Sequence, residues 1–102
     1  MGRFEDRTVL VVGAVRGIGA AHARGFHSEG AYVVIGDVHD EDGERLAAEL
    51  GERCLFVHMD PANPVDWTRT MQAAEKHFGS VSMVINSVGL SNRTSDGTDG
   101  SE

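Results

Sequence analysis

The sequence predicts an α/β domain: a parallel sheet of four strands in the order 3-2-1-4, built by the alternation β-α-β-α-β-α-β. Three observations carry this. Short, mostly apolar runs recur at Thr8–Val12, Tyr32–Gly36, Cys54–Met59 and Ser82–Asn86, as strands buried on both faces require. The stretches between them have helical character, and each closes on a glycine, at Gly30, Gly51 and Gly79, a residue that tolerates the backbone angles found past a helix end. The connections are short, and right-handed crossovers then make neighbouring strands parallel. The order 3-2-1-4 is the first half of a doubly wound sheet.

Each element has a local reason. Thr8-Val9-Leu10-Val11-Val12 is rich in β-branched side chains, which favour a strand. A helix is expected from Gly17 to about Glu29, with Ile18, Ala21 and Phe26 toward the sheet. Tyr32–Gly36 is the second strand. Asp40 to Leu50 follows as a helix, with carboxylates in its first turn and Leu46, Ala47 and Leu50 on one side; early acidic residues complement the helix dipole. After the third strand, Pro61 and Pro64 mark a loop and a helix start, Pro64 suiting a first-turn position. That helix is expected to reach about His77, with Val65, Thr68, Met71, Gln72 and Glu75 marking its turns. Residues 91–102 contain no aliphatic or aromatic side chain, so they are expected to form a disordered polar tail behind a domain of residues 1–90.

Composition excludes several classes of function. A formal net charge of −7 without a basic cluster excludes nucleic acid and anionic membrane as partners, because both need a basic surface. The single cysteine, Cys54, rules out an internal disulfide and a multi-cysteine zinc site, and its apolar neighbours predict a buried strand position. The five histidines, His22, His27, His39, His58 and His77, have no metal-ligand spacing. Trp67, Met59, Met71 and Met83 read as packing residues, and Tyr32 as strand core. No signal peptide or spanning segment is visible, so a cytoplasmic location is expected.

Chemistry concentrates where the first strand meets the first helix. Gly13, Gly17 and Gly19 stand at Gly-x-x-x-Gly-x-Gly spacing, with Arg16 and Ile18 between them. Gly13 can take angles closed to other residues. Gly17 and Gly19 are expected to let the main chain approach a pyrophosphate at the positive end of the helix. Asp37, just past the second strand, lies near the usual offset for a ribose-binding carboxylate. Together these residues point to a dinucleotide ligand.

The glycine run, Asp37, Asp60 and Asn86-Ser87-Val88-Gly89 resemble the cofactor-binding half of the short-chain dehydrogenase/reductase family, from about Phe4 to Leu90. The resemblance implies a Rossmann fold and an NAD(P)-dependent oxidoreductase acting on a secondary alcohol or ketone. It places Asp37, with Val38 beside it, at the adenosine ribose hydroxyls, which favours NAD over NADP by repelling a 2′-phosphate; Arg16 pulls toward NADP. It places Asp60 at the adenine amino group, although as a residue capping the loop before Pro61 it would look the same. Pro61 lacks the N–H that relatives offer the base, which removes one hydrogen bond worth about 0.5–1.5 kcal/mol. Asn86 and Gly89 match the family's Asn-Asn-Ala-Gly segment, Ser87 and Val88 depart from it, and Val12 replaces a usual threonine.

The resemblance also implies what this chain lacks. Hydride transfer in the family uses a serine, a tyrosine, a lysine and an asparagine, the tyrosine and lysine at Tyr-x-x-x-Lys spacing on one helix face. Here the one tyrosine, Tyr32, has Gly36 four places on, and the one lysine is Lys76. No catalytic residue carries over, and the chain by itself is expected to be inactive. A half-sheet also leaves the fourth strand on an open edge, a possible seat for self-association. Two readings stay open: the dinucleotide-binding half of an oxidoreductase, or a non-catalytic nucleotide-binding or interaction module.

Overall fold

A computed structural model describes residues 3–88; the expected polar tail and Gly89 lie outside the described residues. Seven elements follow in order: β1 (Thr8–Val12), α1 (Gly17–Ser28), β2 (Tyr32–Asp37), α2 (Asp40–Leu50), β3 (Cys54–His58), α3 (Pro64–Phe78) and β4 (Val81–Asn86). The strands form one parallel sheet in the order β3-β2-β1-β4, as the alternation predicts. All five residues of β1 are buried, because β1 is paired on both edges and covered on both faces. Each fully buried aliphatic side chain of this kind contributes about 1.5–3 kcal/mol of transfer free energy.

Two cores lie on opposite sides of the sheet. On one side α1 and α2 cover Val9, Val11, Val33 and Ile35, with Ala20, Ala23 and Leu46 from the helices. On the other, α3 covers Leu10, Val12, Val34 and Val57 through Ala74, with Trp67, Met71 and Phe78 packed around it. β4 is less well sheltered, and Val84 is 43% exposed.

Several expectations need correction. The sheet-facing stripe of α1 is Gly19, Ala20 and Ala23, not Ile18 and Ala21, which point outward; small residues let α1 sit close over the turn that precedes it. α3 runs one residue past its expected end at about His77, to Phe78, and its buried positions are Thr70 and Ala74. Trp67 sets that phase, its indole N–H donating to the Pro61 carbonyl at 2.8 Å. β2 runs one residue further, to Asp37, and β3 ends at His58. β4 starts at Val81 because the register shifts there: Thr8 faces Val81 while Val9 faces Met83. Tyr32 is half-buried and stacks on Phe78, the ring centroids 4.9 Å apart. Cys54 on the edge strand is also half-buried, and burial pushes its thiol up to about 12, so it is no nucleophile at neutral pH.

Gly43 is buried in α2, and a Cβ there would stand 2.1 Å from Phe56 Cε1. The helix thus carries a poor helix former, at about 1 kcal/mol, so that the Phe56 ring can lie against its backbone.

Candidate functional site

The carboxyl ends of the strands meet in one place, where crevices of open α/β sheets hold ligands. Three main-chain bonds extend the sheet past the strand ends: Gly13 N–H to the Gly36 carbonyl at 2.8 Å, Ser87 N–H to Val12 at 2.8 Å and Met59 N–H to Asp37 at 3.0 Å. They fix the start of each connecting segment around a cleft of about 260 Å³, whose walls include Gly13, Arg16, Asp37, Val38, Pro61 and Ser87.

The β1–α1 turn needs glycine at two points for its backbone angles, with φ +75° at Gly13 and +53° at Gly17. A Cβ on Gly13 would also come within 3.0 Å of Val88 Cγ2. Gly19 has a packing task at the same turn. A Cβ there would sit 1.9 Å from the Gly13 carbonyl oxygen and 2.8 Å from Ala14 Cα, so this glycine seats α1 on its own turn. Arg16, at the N-cap in an extended conformation, gives no side-chain cap, and the first turn of α1 carries no acidic residue. The leading N–H groups of a helix need a partner, and among the described residues no side chain caps this end.

Asp37 closes β2 and is 7% exposed. Its Oδ1 accepts from the His39 main-chain N–H at 3.0 Å and pairs with His39 Nδ1 at 2.7 Å, while Oδ2 accepts from Val15 N–H at 3.4 Å. The carboxylate therefore faces the glycine turn. Its remaining acceptor capacity, out of about four lone-pair sites, opens on the cleft. Uncapped donors and a buried acceptor thus stand side by side, an arrangement able to take an anion and neighbouring hydroxyls.

Other predicted residues take different positions. Gly17, Ile18 and Gly19 form the start of α1. The exposed Asp60 accepts from Ala62 N–H at 2.9 Å, and the exposed Asn86 accepts from Val88 N–H at 3.1 Å; both side chains brace their own turns. Asp60 N–H donates to Asp66 Oδ2 at 2.9 Å, and Arg69 pairs with Asp66 Oδ1 at 3.2 Å. First that amide and then Arg69 hold the Asp66 carboxyl below its ordinary range.

Two participants were missed. His39 lines the cleft beside Asp37; a histidine two places after a predicted ribose carboxylate was available as a signal. His22 Nδ1 lies 3.3 Å from the buried Ser87 Oγ, joining α1 to the segment after β4. Nothing in the local sequence announces a pair 65 residues apart.

Known proteins agree with this architecture. The short chain dehydrogenase family profile matches residues 7–100. A 3-alpha-(or 20-beta)-hydroxysteroid dehydrogenase of Mycobacterium tuberculosis is 41% identical over 91 residues, which cover 89% of this chain and 35% of that protein. A 3-beta-hydroxysteroid dehydrogenase of Comamonas testosteroni is 35% identical over 88 residues, covering 86% of this chain and 35% of its own. Among solved structures, a 3-ketoacyl-(acyl-carrier-protein) reductase from Brucella melitensis complexed with NADH superposes with a TM-score of 0.77 at 34% identity, covering 79% of this chain and 34% of that one. The chain spans about a third of the length of these relatives. With sheet order, glycine turn and family profile in agreement, the chain belongs to the short-chain dehydrogenase/reductase family.

Proposed function

We propose that this chain holds the adenosine side of NAD in a short-chain oxidoreductase acting on a secondary alcohol or ketone. The fit rests on the donor and acceptor set. The uncapped start of α1, reached through Gly13, Arg16, Gly17, Ile18 and Gly19, receives the pyrophosphate. Asp37 takes the ribose hydroxyls, and Val38 and Pro61 offer apolar surface to adenine. Asp60, Asn86, Ser87 and Gly89 complete the site as the family resemblance implies. The single observation that carries this reading is the Asp37 carboxylate, buried at the end of β2 and facing the glycine turn. The same negative charge opposes a 2′-phosphate, which favours NAD over NADP. When bound, the nicotinamide supplies the hydride acceptor; this chain's residues bind and orient the other end.

No residue of this chain takes the part of the catalytic tyrosine. Tyr32 opens β2 and Asp37 ends it, which separates Tyr32 from the cleft by about 17 Å at ~3.3 Å per residue. Lys76 lies in α3. The chain alone is therefore expected to turn over no secondary alcohol.

Calorimetric titration with NAD, NADP and ADP-ribose tests the proposal. Saturable NAD binding is expected, and Asp37→Ala should weaken it by about 10- to 100-fold, the loss of hydrogen bonds to a charged acceptor at about 1.5–3 kcal/mol. Absence of NAD binding, or indifference to Asp37→Ala, sinks the reading. A second reading, an interaction module that self-associates along β4, draws on the 43% exposure of Val84; a concentration-dependent dimer in sedimentation together with no nucleotide affinity would favour it.

A further inference from the structure

We infer that His22 is a positioning residue of this site: by holding Ser87 against α1, it sets the cleft wall that meets the nicotinamide half of the dinucleotide. The inference rests on the nucleotide reading above and extends it to a residue outside the glycine and aspartate pattern.

The cleft has two ends. Asp37 closes β2, Ser87 follows β4, and β1 with its glycine turn runs between those strands. Both residues line the one cleft, from strands two places apart, which is about 10 Å at ~4.8 Å per strand. A dinucleotide with its adenosine ribose at Asp37 and its pyrophosphate at the start of α1 therefore carries its second ribose and its nicotinamide toward Ser87.

The Ser87 wall stands at the least supported part of the sheet. Among the described residues β4 pairs with β1 alone, and half-buried and exposed positions alternate along it. Past Asn86 three bonds hold the chain. Ser87 N–H donates to the Val12 carbonyl at 2.8 Å, Val88 N–H donates to Asn86 Oδ1 at 3.1 Å, and Ser87 Oγ lies 3.3 Å from His22 Nδ1. The first fixes the main chain and the second closes a local turn. The third ties the wall to a helix. Ser87 is 5% exposed, and a buried hydroxyl without a partner is costly. Without the imidazole, the hydroxyl must turn or the segment must move, and either alters the wall.

His22 is itself held in place. Gly19 seats α1 closely on the glycine turn, and the half-buried imidazole lies beside Phe26, the ring centroids 6.5 Å apart. The ring lines a neighbouring groove with Phe4 and Phe26, so it acts on the cleft through Ser87. One helix thus offers its leading N–H groups to the pyrophosphate and, one turn later, a side chain that sets how far away the β4 wall stands.

The experiment titrates NAD and ADP calorimetrically into the wild-type chain, His22→Leu and His22→Asn. ADP has the adenosine and the diphosphate but neither the second ribose nor the nicotinamide. Leucine keeps apolar bulk beside Phe26 without a hydrogen bond, and asparagine returns a polar atom near the place of Nδ1. His22→Leu should weaken NAD binding by about 3- to 10-fold, the worth of one hydrogen bond, and leave ADP binding unchanged. His22→Asn should restore NAD affinity.

Unchanged NAD affinity in His22→Leu overturns the inference. Equal losses for NAD and ADP also overturn it, because they mark a residue that supports only the fold. Failure of asparagine to restore affinity overturns the role of the hydrogen bond. If the wild type binds neither nucleotide, or Asp37→Ala has no effect, the nucleotide reading falls and this inference with it. Should His22→Leu not fold, Ser87→Ala removes the same bond from its other side. The same split between NAD and ADP is then expected, and its absence overturns the inference.

Discussion

The starts of α1 and α3 are the same structural problem solved in opposite ways. Each helix begins with N–H groups that have no partner in the preceding turn. At α3 the chain supplies its own: Asn63 accepts from Val65 N–H at 2.9 Å, Pro64 at the first position has no N–H to satisfy, and Asp66 puts negative charge in the first turn. At α1 the cap residue is Arg16, which makes no capping bond, and no carboxylate stands in the first turn. The difference teaches where the molecule provides for itself and where it leaves provision to a ligand. It is meaningful because the uncapped start, and not the capped one, sits beside a buried carboxylate in the crevice.

The largest expected effect comes from disturbing how α1 is seated. Gly19→Ala places a methyl group 1.9 Å from the Gly13 carbonyl oxygen. Neither partner is a flexible side-chain end, so α1 must shift. A loss of about 3 kcal/mol is expected, the upper part of the usual overpacking range, read as a lower urea midpoint. An unchanged midpoint would show that the close approach of α1 to its turn is not required.

A second test exchanges the two solutions. Arg16→Ser gives α1 a capping hydroxyl and should stabilise the fold by about 0.5–1 kcal/mol, while Asn63→Ala removes the cap of α3 and should destabilise it by about 1 kcal/mol. NAD affinity should respond to the first substitution alone, falling several-fold as the hydroxyl occupies an amide proposed to receive the pyrophosphate. Equal loss of affinity in both would mean that the contrast between the helix starts carries no function.

The smallest effect is a pH dependence at α3. The folded Asp66 carboxyl lies below its ordinary value of 3.8, held there first by the Asp60 amide and then by Arg69. A depressed acid contributes stability that is complete above the unfolded value and is lost as pH falls through the folded one. The contribution should therefore be full at neutral pH and fade below about pH 4. Asp66→Asn should flatten the acid limb of the stability curve, and an unchanged limb would remove Asp66 from the account.

Much of the fold was legible because strand runs and punctuating glycines act locally. β1, β2 and α2 could be read directly, since Thr8–Val12, Tyr32–Gly36 and the acidic start at Asp40 need only their own neighbours to explain them. The facing of α1 and α3 was not. For α1 the pattern favoured Ile18 and Ala21, whereas contact across the turn selected Gly19 and Ala20; for α3 it marked the turns without a facing, and the Trp67–Pro61 bond fixed the phase. The shift at the start of β4 likewise depends on its partner Thr8. At the cleft, Gly13 and Asp37 were visible because each holds a fixed offset from a strand. His22 and Ser87 were invisible as a pair because folding alone brings them together.

The three main-chain bonds past the strand ends carry a consequence for kinetics. Gly13, Met59 and Ser87 are each tied to an adjacent strand or strand end, so the rim of the crevice is frozen in place when the sheet forms. Its conformational entropy is surrendered during folding, and none of these three positions has to be immobilised when a guest arrives. Capture at this rim should therefore be a single rapid step, limited by encounter.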